Sequence, residues 1–389
     1  MASPAAPMTP RGRLLTALAR GVPDRLPVTT HHVMPSFLER DLGGADADAF
    51  FARFGLDPIR WVAAYRPDAT KGQYFAEPDP AAPPRVAAPD CRIRIETSRQ
   101  AAARTVRLRY ETPQKTLTMR IEEDAHTGWI TERLVREKTD VDVLAEHLPV
   151  LLCDVEAVNR QADTFGERGL VRGMVPGFDP YGQPGCWQDA AQLFGIEALI
   201  LATFEDPAWV HHFLRVLCER KKATLRSMRG ARFDLVELGG GDASTTVISP
   251  ALFETFVQPY DTELIALARE VGQRIVYHTC GGMMPILEAI ADMGPAAMET
   301  FTPPAMGGDA DLAAAKRRIG HRVCLIGGFD QVHHFRGCTP ATTRAAVRRC
   351  FAAAGGGGGF ILAPSDHFFE ADLELLEAFA DEARRCVYA

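Results

Sequence analysis

Short runs of apolar and β-branched residues recur along the chain, each closed by a glycine, a proline or a polar side chain. Eight stand out: "RLPVTT" (25–30), "IRWVAAY" (59–65), "GLVRGMVP" (169–176), "FDLVELG" (233–239), "RIVYHT" (274–279), "AAMETF" (296–301), "RVCLIGG" (322–328) and "GFILAP" (359–364). Each reads as a strand. Between most of them lie segments with apolar residues at helical spacing. "SPALFETFVQPYDTELIALAREVG" (249–272) follows the fourth run, and the later runs are followed by "MMPILEAIADMG", "DADLAAAKRRIG" and "TPATTRAAVRRCFAAAG". The closing "DLELLEAFADEARRCV" sets Leu373, Leu376, Phe379 and Ala383 on one helical stripe. Strand–helix alternation implies parallel strands with helical crossovers. Eight such units predict an α/β fold of the (β/α)8 TIM-barrel type, with an open doubly wound sheet as the alternative.

Residues 66–145 break the alternation. "DCRIRIETSR", "RTVRLRYETP" and "KTLTMRIEED" alternate polar and apolar residues, the pattern of antiparallel strands with one wet face. They predict an antiparallel β insertion near residues 90–135, placed after the second barrel strand as a lid or a dimer contact. The proline-rich "EPDPAAPPRVAAPD" (77–90) reads as the loop leading into it. "AAAGGGGGF" (352–360) falls between a helix and a strand and reads as a slack turn, because no Lys-Ser/Thr pair follows to make a phosphate loop. The whole chain, 1–389, is then one barrel domain carrying the insertion.

Composition narrows the function classes. The 389 residues are 47% hydrophobic and carry a net charge of −7, with no block of like charge, so a nucleic-acid partner is not expected. The start, "MASPAAPMTPRGRLL", has no signal-peptide pattern, and no apolar run reaches membrane-spanning length. The expected location is the cytoplasm. Nine cysteines, at 91, 153, 186, 218, 280, 324, 338, 350 and 386, are odd in number and irregular in spacing. Most read as reduced, buried apolar side chains.

Chemistry in a barrel gathers at the C-terminal ends of the strands. The predicted ends present His31 and His32; Asp179 and Tyr181; Glu237 and then Asp242 after three glycines; His278 and Cys280; Glu299; Asp330 and Gln331; and Ser365, Asp366 and His367. His278 and Cys280 are two residues apart, so on a strand they face the same way. With Glu299 at the next strand end, imidazole, thiolate and carboxylate suit a Zn2+ that keeps one position open. Gly281 and Gly282 would let the backbone come close to such an ion. Adjacent His31 and His32 would point to opposite faces, so at most one enters the site. Asp242 can be a substrate contact or a cap, Asp330 is equally open, His333 and His334 read as exposed, and Trp187 reads as rim packing.

These segments resemble the uroporphyrinogen decarboxylase-like superfamily of barrels. "RGRLLTALARGVPDRLPV", "FDLVELGGGDASTTVISPALFETFVQPY", "VYHTCGGMMPILEAIADMG" and "METFTPPAMGGDADLAAAKRRIG" carry the resemblance over nearly the whole chain. His-x-Cys is similar to the zinc site of its methyltransferase branch, which moves methyl groups between corrinoid proteins and thiols, and to that of cobalamin-independent methionine synthase. The resemblance implies His278, Cys280 and Glu299 as metal ligands. It departs in two places. Where those methyltransferases have a final cysteine, "LAPSDHF" offers Asp366 and His367, a harder donor set that implies a more Lewis-acidic metal. Where true uroporphyrinogen decarboxylases carry paired arginines, the segment reads "TTHHVMPSFLER", which argues against a porphyrinogen substrate.

The reading is a zinc-dependent methyltransferase or demethylase moving a methyl group between a small substrate and a thiol or corrinoid acceptor. Glu237, Asp242 and His32 are its candidate catalytic residues. The implied cofactors are Zn2+ and a corrinoid on a partner protein, and the chain is a monomer or homodimer with no membrane partner. The alternatives are a metal-assisted lyase or decarboxylase acting on a small carboxylate, and a barrel that only binds a corrinoid or metabolite.

Overall fold

The computed structural model describes residues 7–65, 86–87, 90–100, 103–124, 127–178 and 182–388. Parallel strands alternate with helices, and a separate antiparallel sheet interrupts them, giving an α/β fold. The chain forms two compact units. One comprises Met1–Trp61, Gln161–Arg172 and Thr279–Ala389; the other comprises Val62–Arg160 and Gly173–His278.

In the first unit, the strands Ala297–Thr300, Cys324–Phe329 and Phe360–Pro364 pair in parallel in that order. Ile59–Trp61 runs parallel to the start of Leu170–Met174. The expected first strand, 25–30, is reduced to one parallel bridge between Val28 and Leu362. Pro27 has no N–H to give, so that ladder holds only Leu362 N–H to Pro27 O and Thr29 N–H to Leu362 O, each 2.9 Å. Salt bridges, one buried and one at the surface, fix this stretch. Arg13 reaches both Asp24 and Asp57 at 2.6 Å, and Asp57 accepts the Val28 N–H at 3.0 Å. An aromatic cluster fills the core, with Phe329 against Phe379 at 4.6 Å and Phe335 against Phe368 at 5.1 Å between ring centroids. The glycine run ends as a packed turn. Gly358 has φ +77°, and a Cβ there would lie 2.0 Å from Gly21 O, so the segment is held against neighbouring backbone.

In the second unit, Leu235–Gly239 pairs in parallel with Ile275–Thr279 through His278. Both strands are buried at every position, as expected of strands covered on both faces. The insertion is a four-stranded antiparallel sheet of Arg92–Gln100, Ala103–Glu111, Thr116–Glu123 and Gly128–Glu132. Its alternation is clean: Val106, Leu108, Tyr110, Leu117, Met119 and Ile121 are buried, while Arg107 and Arg109 are exposed. The fourth strand, "GWITE", has too few alternating residues to register as a strand by pattern alone. The long helical stretch 249–272 is two helices, Pro250–Phe256 and Gln258–Glu270. Pro259, at the first turn of the second, cannot donate to the first. No described helix is long and apolar enough to cross a membrane. None of the nine cysteines is in a disulfide, and five of them are buried.

Candidate functional site

In the first unit, polar side chains gather around Glu299 on the Ala297–Thr300 strand. Arg172, from the Leu170–Met174 strand, donates to both of its carboxylate oxygens: Nη1 to Oε2 at 2.9 Å and Nη2 to Oε1. Both side chains are at most 2% exposed. Two charges removed this far from water need close mutual geometry to offset their lost hydration, and a bidentate fork supplies it. Trp61 sits opposite Arg172 in the strand register, with the guanidinium 4.5 Å from its ring centroid. The Trp61 indole N–H donates to His31 O at 3.0 Å, which anchors the two histidines. His31 Nδ1 lies 3.5 Å from Glu299 Oε2. The His32 ring stacks on Trp61 at 4.6 Å. Burial, reinforced by the charges of His31, Arg172 and His367, holds the His32 imidazole well below its usual range. It is therefore a neutral ring at physiological pH.

Cys280 is half-buried just past the Ile275–Thr279 strand. The loop after it is pinned, since Gly281 N–H donates to Thr302 Oγ1 at 3.2 Å and Met283 N–H to Asp309 at 2.7 Å. Gly281 has φ +92°, a conformation that suits glycine. After Phe360–Pro364, Ser365 is bonded to Phe329 O at 3.0 Å and to Gln331 at 3.1 Å. Asp366 then accepts from the His367 N–H at 2.8 Å, and its carboxylate lies 2.9 Å from the His367 ring Nδ1. Asp330 caps the short helix Gln331–His334, so its carboxylate has a structural task. His333 is exposed and pairs with Asp330 at 2.9 Å.

In the second unit, Glu237 and His278 come from paired strands. Their carboxylate and imidazole stand 3.8 Å apart, with side chains 4% and 3% exposed. Gly239 sits opposite His278 in the register. Its φ is +104°, and a Cβ would meet His278 O at 2.3 Å, so only glycine allows the strands to close here. Asp242 lies in the turn beyond. Gln192 donates to its carboxylate at 3.1 Å, Gln188 accepts its N–H at 2.9 Å, and Trp187 donates to its carbonyl at 3.0 Å. Burial raises the Asp242 carboxyl above its usual range, although Gln192 and Arg133 pull it down. Trp187, fully buried, is thus a core residue whose indole fixes the Asp242 turn. Asp179 and Tyr181 lie outside the described residues.

Beneath His278, the strand neighbour Tyr277 donates to Asp261 at 2.8 Å. Burial pushes the Asp261 carboxyl up to about 6 from 3.8, against the opposing pull of Tyr277 and Lys221. Because the folded value lies above the unfolded one, the native state holds this proton more tightly. Stability is lost as pH rises from near 4 to near 6 and stays lower above that, by on the order of 2–3 kcal/mol. Asp261→Asn keeps an acceptor for Tyr277 and removes this dependence. In urea unfolding at pH 4.5 and 7.5, the variant should gain on the native protein at the higher pH only. A difference that does not change with pH would contradict the assignment.

The sequence model of the uroporphyrinogen decarboxylase (URO-D) family matches residues 182–386, more than half of the chain. The chain belongs to that family. Among solved structures, a methyltransferase from Methanosarcina mazei is 16% identical and aligns over 97% of this chain and 99% of its own, with a TM-score of 0.62. The two share the URO-D-like TIM-barrel fold. A B12-independent methionine synthase from Shewanella sp. W3-18-1 aligns over 62% of this chain and 72% of its own at 8% identity and a TM-score of 0.41. A D-psicose 3-epimerase does so over 62% and 84%, at 10% identity and a TM-score of 0.34. No curated protein matches the sequence.

Glu237, Asp242, His278, Cys280, Glu299, Asp366 and His367 all fall inside the family match, whereas His31, His32, Trp61 and Arg172 precede it. Sequence reasoning passed over Arg172 and Trp61. A signal for the first existed: "GLVRGMVP" puts an arginine in the middle of an otherwise apolar strand. A cation there is tolerated only with a partner. Gln188 and Gln192, one helical turn apart, were equally hard to single out before Asp242 was placed above them.

Proposed function

We propose that this member of the URO-D family is a zinc-dependent methyltransferase or demethylase, moving a methyl group between a small substrate and a thiol or corrinoid acceptor. The supporting observation is His278: a buried imidazole at a strand end, 3.8 Å from the Glu237 carboxylate and two residues before a half-buried thiol. A carboxylate on one ring nitrogen's side orients the imidazole and raises its basicity as a ligand. That donor chemistry fits a divalent cation of the zinc type.

His278 and Cys280 are the proposed first ligands, with Glu299 and either Asp366 or His367 carried over from the sequence motif to complete the set. Bound Zn2+ would supply Lewis acidity, lowering the pKa of a thiol or easing departure of an alkoxide or phenoxide from its methyl group. The protein's own residues do the rest. Glu237 places a carboxylate 3.8 Å from the His278 ring, where its charge favours the imidazole as a donor to a cation. Asp242, kept in its turn by Gln188 and Trp187, presents a carboxyl of raised pKa that can hydrogen-bond substrate. His32, neutral and stacked on Trp61, can hydrogen-bond substrate as an uncharged ring. The acceptor would be a free thiol or a corrinoid protein docked as a partner.

The test is an assay of the purified, zinc-loaded chain with methylated and unmethylated corrinoid protein, thiols and aryl methyl ethers, beside a parallel assay of CO2 release from small carboxylic acids. Methyl transfer supports the reading. CO2 release without methyl transfer would replace it with the decarboxylase alternative.

A further inference from the structure

We propose that two copies of this chain pair through the outer strand of the antiparallel sheet, Arg92–Gln100. This strand lies at one end of its four-stranded sheet, paired on one side to Ala103–Glu111. Among the described residues, the N–H and C=O groups on its other side have no strand to pair with, which makes the edge a ready template for another strand.

Side-chain exposure marks the same edge. Every residue from Arg92 to Arg99 is exposed. Ile93 and Ile95 stand opposite Tyr110 and Leu108 on the apolar face, yet they are 40% and 47% exposed, against 6% and 2% for their partners. The covered face of the sheet therefore ends one strand short, and two isoleucines overhang it.

The occupant follows from charge. A two-fold axis perpendicular to the sheet keeps each face on its own side, so residues facing each other across the axis share parity. The axis can then pass through residue 94, 95, 96 or 97. At 94 it sets Arg94 against Arg94, and at 96 Glu96 against Glu96. At 97 it sets Ile95 against Arg99 and leaves Glu96 facing Ser98. At Ile95 it sets Arg94 against Glu96 twice, Ile95 against Ile95 and Ile93 against Thr97. Opposite charges directly across a strand pair stabilise it, and like charges oppose it. Only the Ile95 axis gives two opposite-charge pairs with no like-charge pair. Within one copy Arg94 faces Arg109 across the sheet, with Glu111 at 2.8 Å as its counter-ion. Glu96 of the second copy would add another. The strand that carries this code is thus self-complementary, and the partner it fits is a second copy of this chain.

The experiment combines sedimentation of the full chain at micromolar concentration with crosslinking through one introduced cysteine in a Cys91→Ser background, the background itself, with its eight remaining native cysteines, serving as the control. Residues directly opposite in an antiparallel pair have Cα atoms about 4.5–5.5 Å apart, within disulfide range. Ile95→Cys would face its own copy, whereas Ile93→Cys would face Thr97. The expected result is a dimer in which Ile95→Cys forms an intermolecular disulfide at least about tenfold faster than Ile93→Cys under mild oxidation. Ile95→Lys, a change at an exposed position, should give a folded monomer. A native chain that sediments as a monomer would overturn the proposal. So would a dimer in which Ile93→Cys crosslinks as fast as Ile95→Cys, or one that survives Ile95→Lys.

Discussion

Arg172→Met is expected to destabilise the protein by about 3–5 kcal/mol. The substitution leaves the Glu299 carboxylate buried at 2% exposure and strips it of a bidentate partner. It also removes a cation from beside Trp61, while methionine's volume is close enough to arginine's to avoid a large cavity. The cost is therefore the uncompensated charge. Glu299→Met should be similarly costly, because it strands the guanidinium. Replacing both removes the two desolvation penalties together, and the double variant should be more stable than either single one. Urea unfolding of the four proteins, with the coupling energy taken from the cycle, checks this. Additive losses in the double variant, or a loss below about 1 kcal/mol in the Arg172 variant, would show that the pair is not the electrostatic unit described.

Cys280→Ser and His278→Ala are expected to abolish methyl transfer, with a loss of about 100-fold or more each, and to leave the fold intact. Cys280 is half-buried on a loop pinned by other residues, through the Gly281 and Met283 N–H groups, so its thiol has little packing to lose. His278 is enclosed by its neighbours, with 3% of its surface exposed, and its removal should cost some stability as well. Glu237→Gln separates orientation from ligation. It keeps the shape beside the His278 ring and removes the charge, and should reduce activity by about 10- to 100-fold. Activity measured with circular dichroism and thermal melting on each variant tests the set. Full activity in Cys280→Ser would remove the thiol from the mechanism.

The strands were legible because buried parallel strands write themselves as short apolar runs. All eight runs carry a strand or, at Val28, a bridge. The insertion was legible through its period of two. The motif His278-x-Cys280 was legible because both residues sit together in the chain. What could not be read was long-range. Arg172 and Glu299 are 127 residues apart, and nothing local in either strand names the other. Glu237 was visible as a strand-end carboxylate, but its place beside His278 depends on the register that sets Gly239 opposite His278. Trp61 carries no signal of its own in the run "IRWVAAY". Its role emerges only when the His31 carbonyl, the His32 ring and the Arg172 guanidinium are placed around it.

Whether His278 and Cys280 hold an ion is decided by metal content. Elemental mass spectrometry would be run on the purified protein and on the His278→Ala/Cys280→Ala double variant, with folding of both confirmed. The expected result is about one zinc per chain in the native protein and none in the double variant. A native protein that stays metal-free after reconstitution with zinc, or a double variant that retains its zinc, would contradict the proposed metal centre.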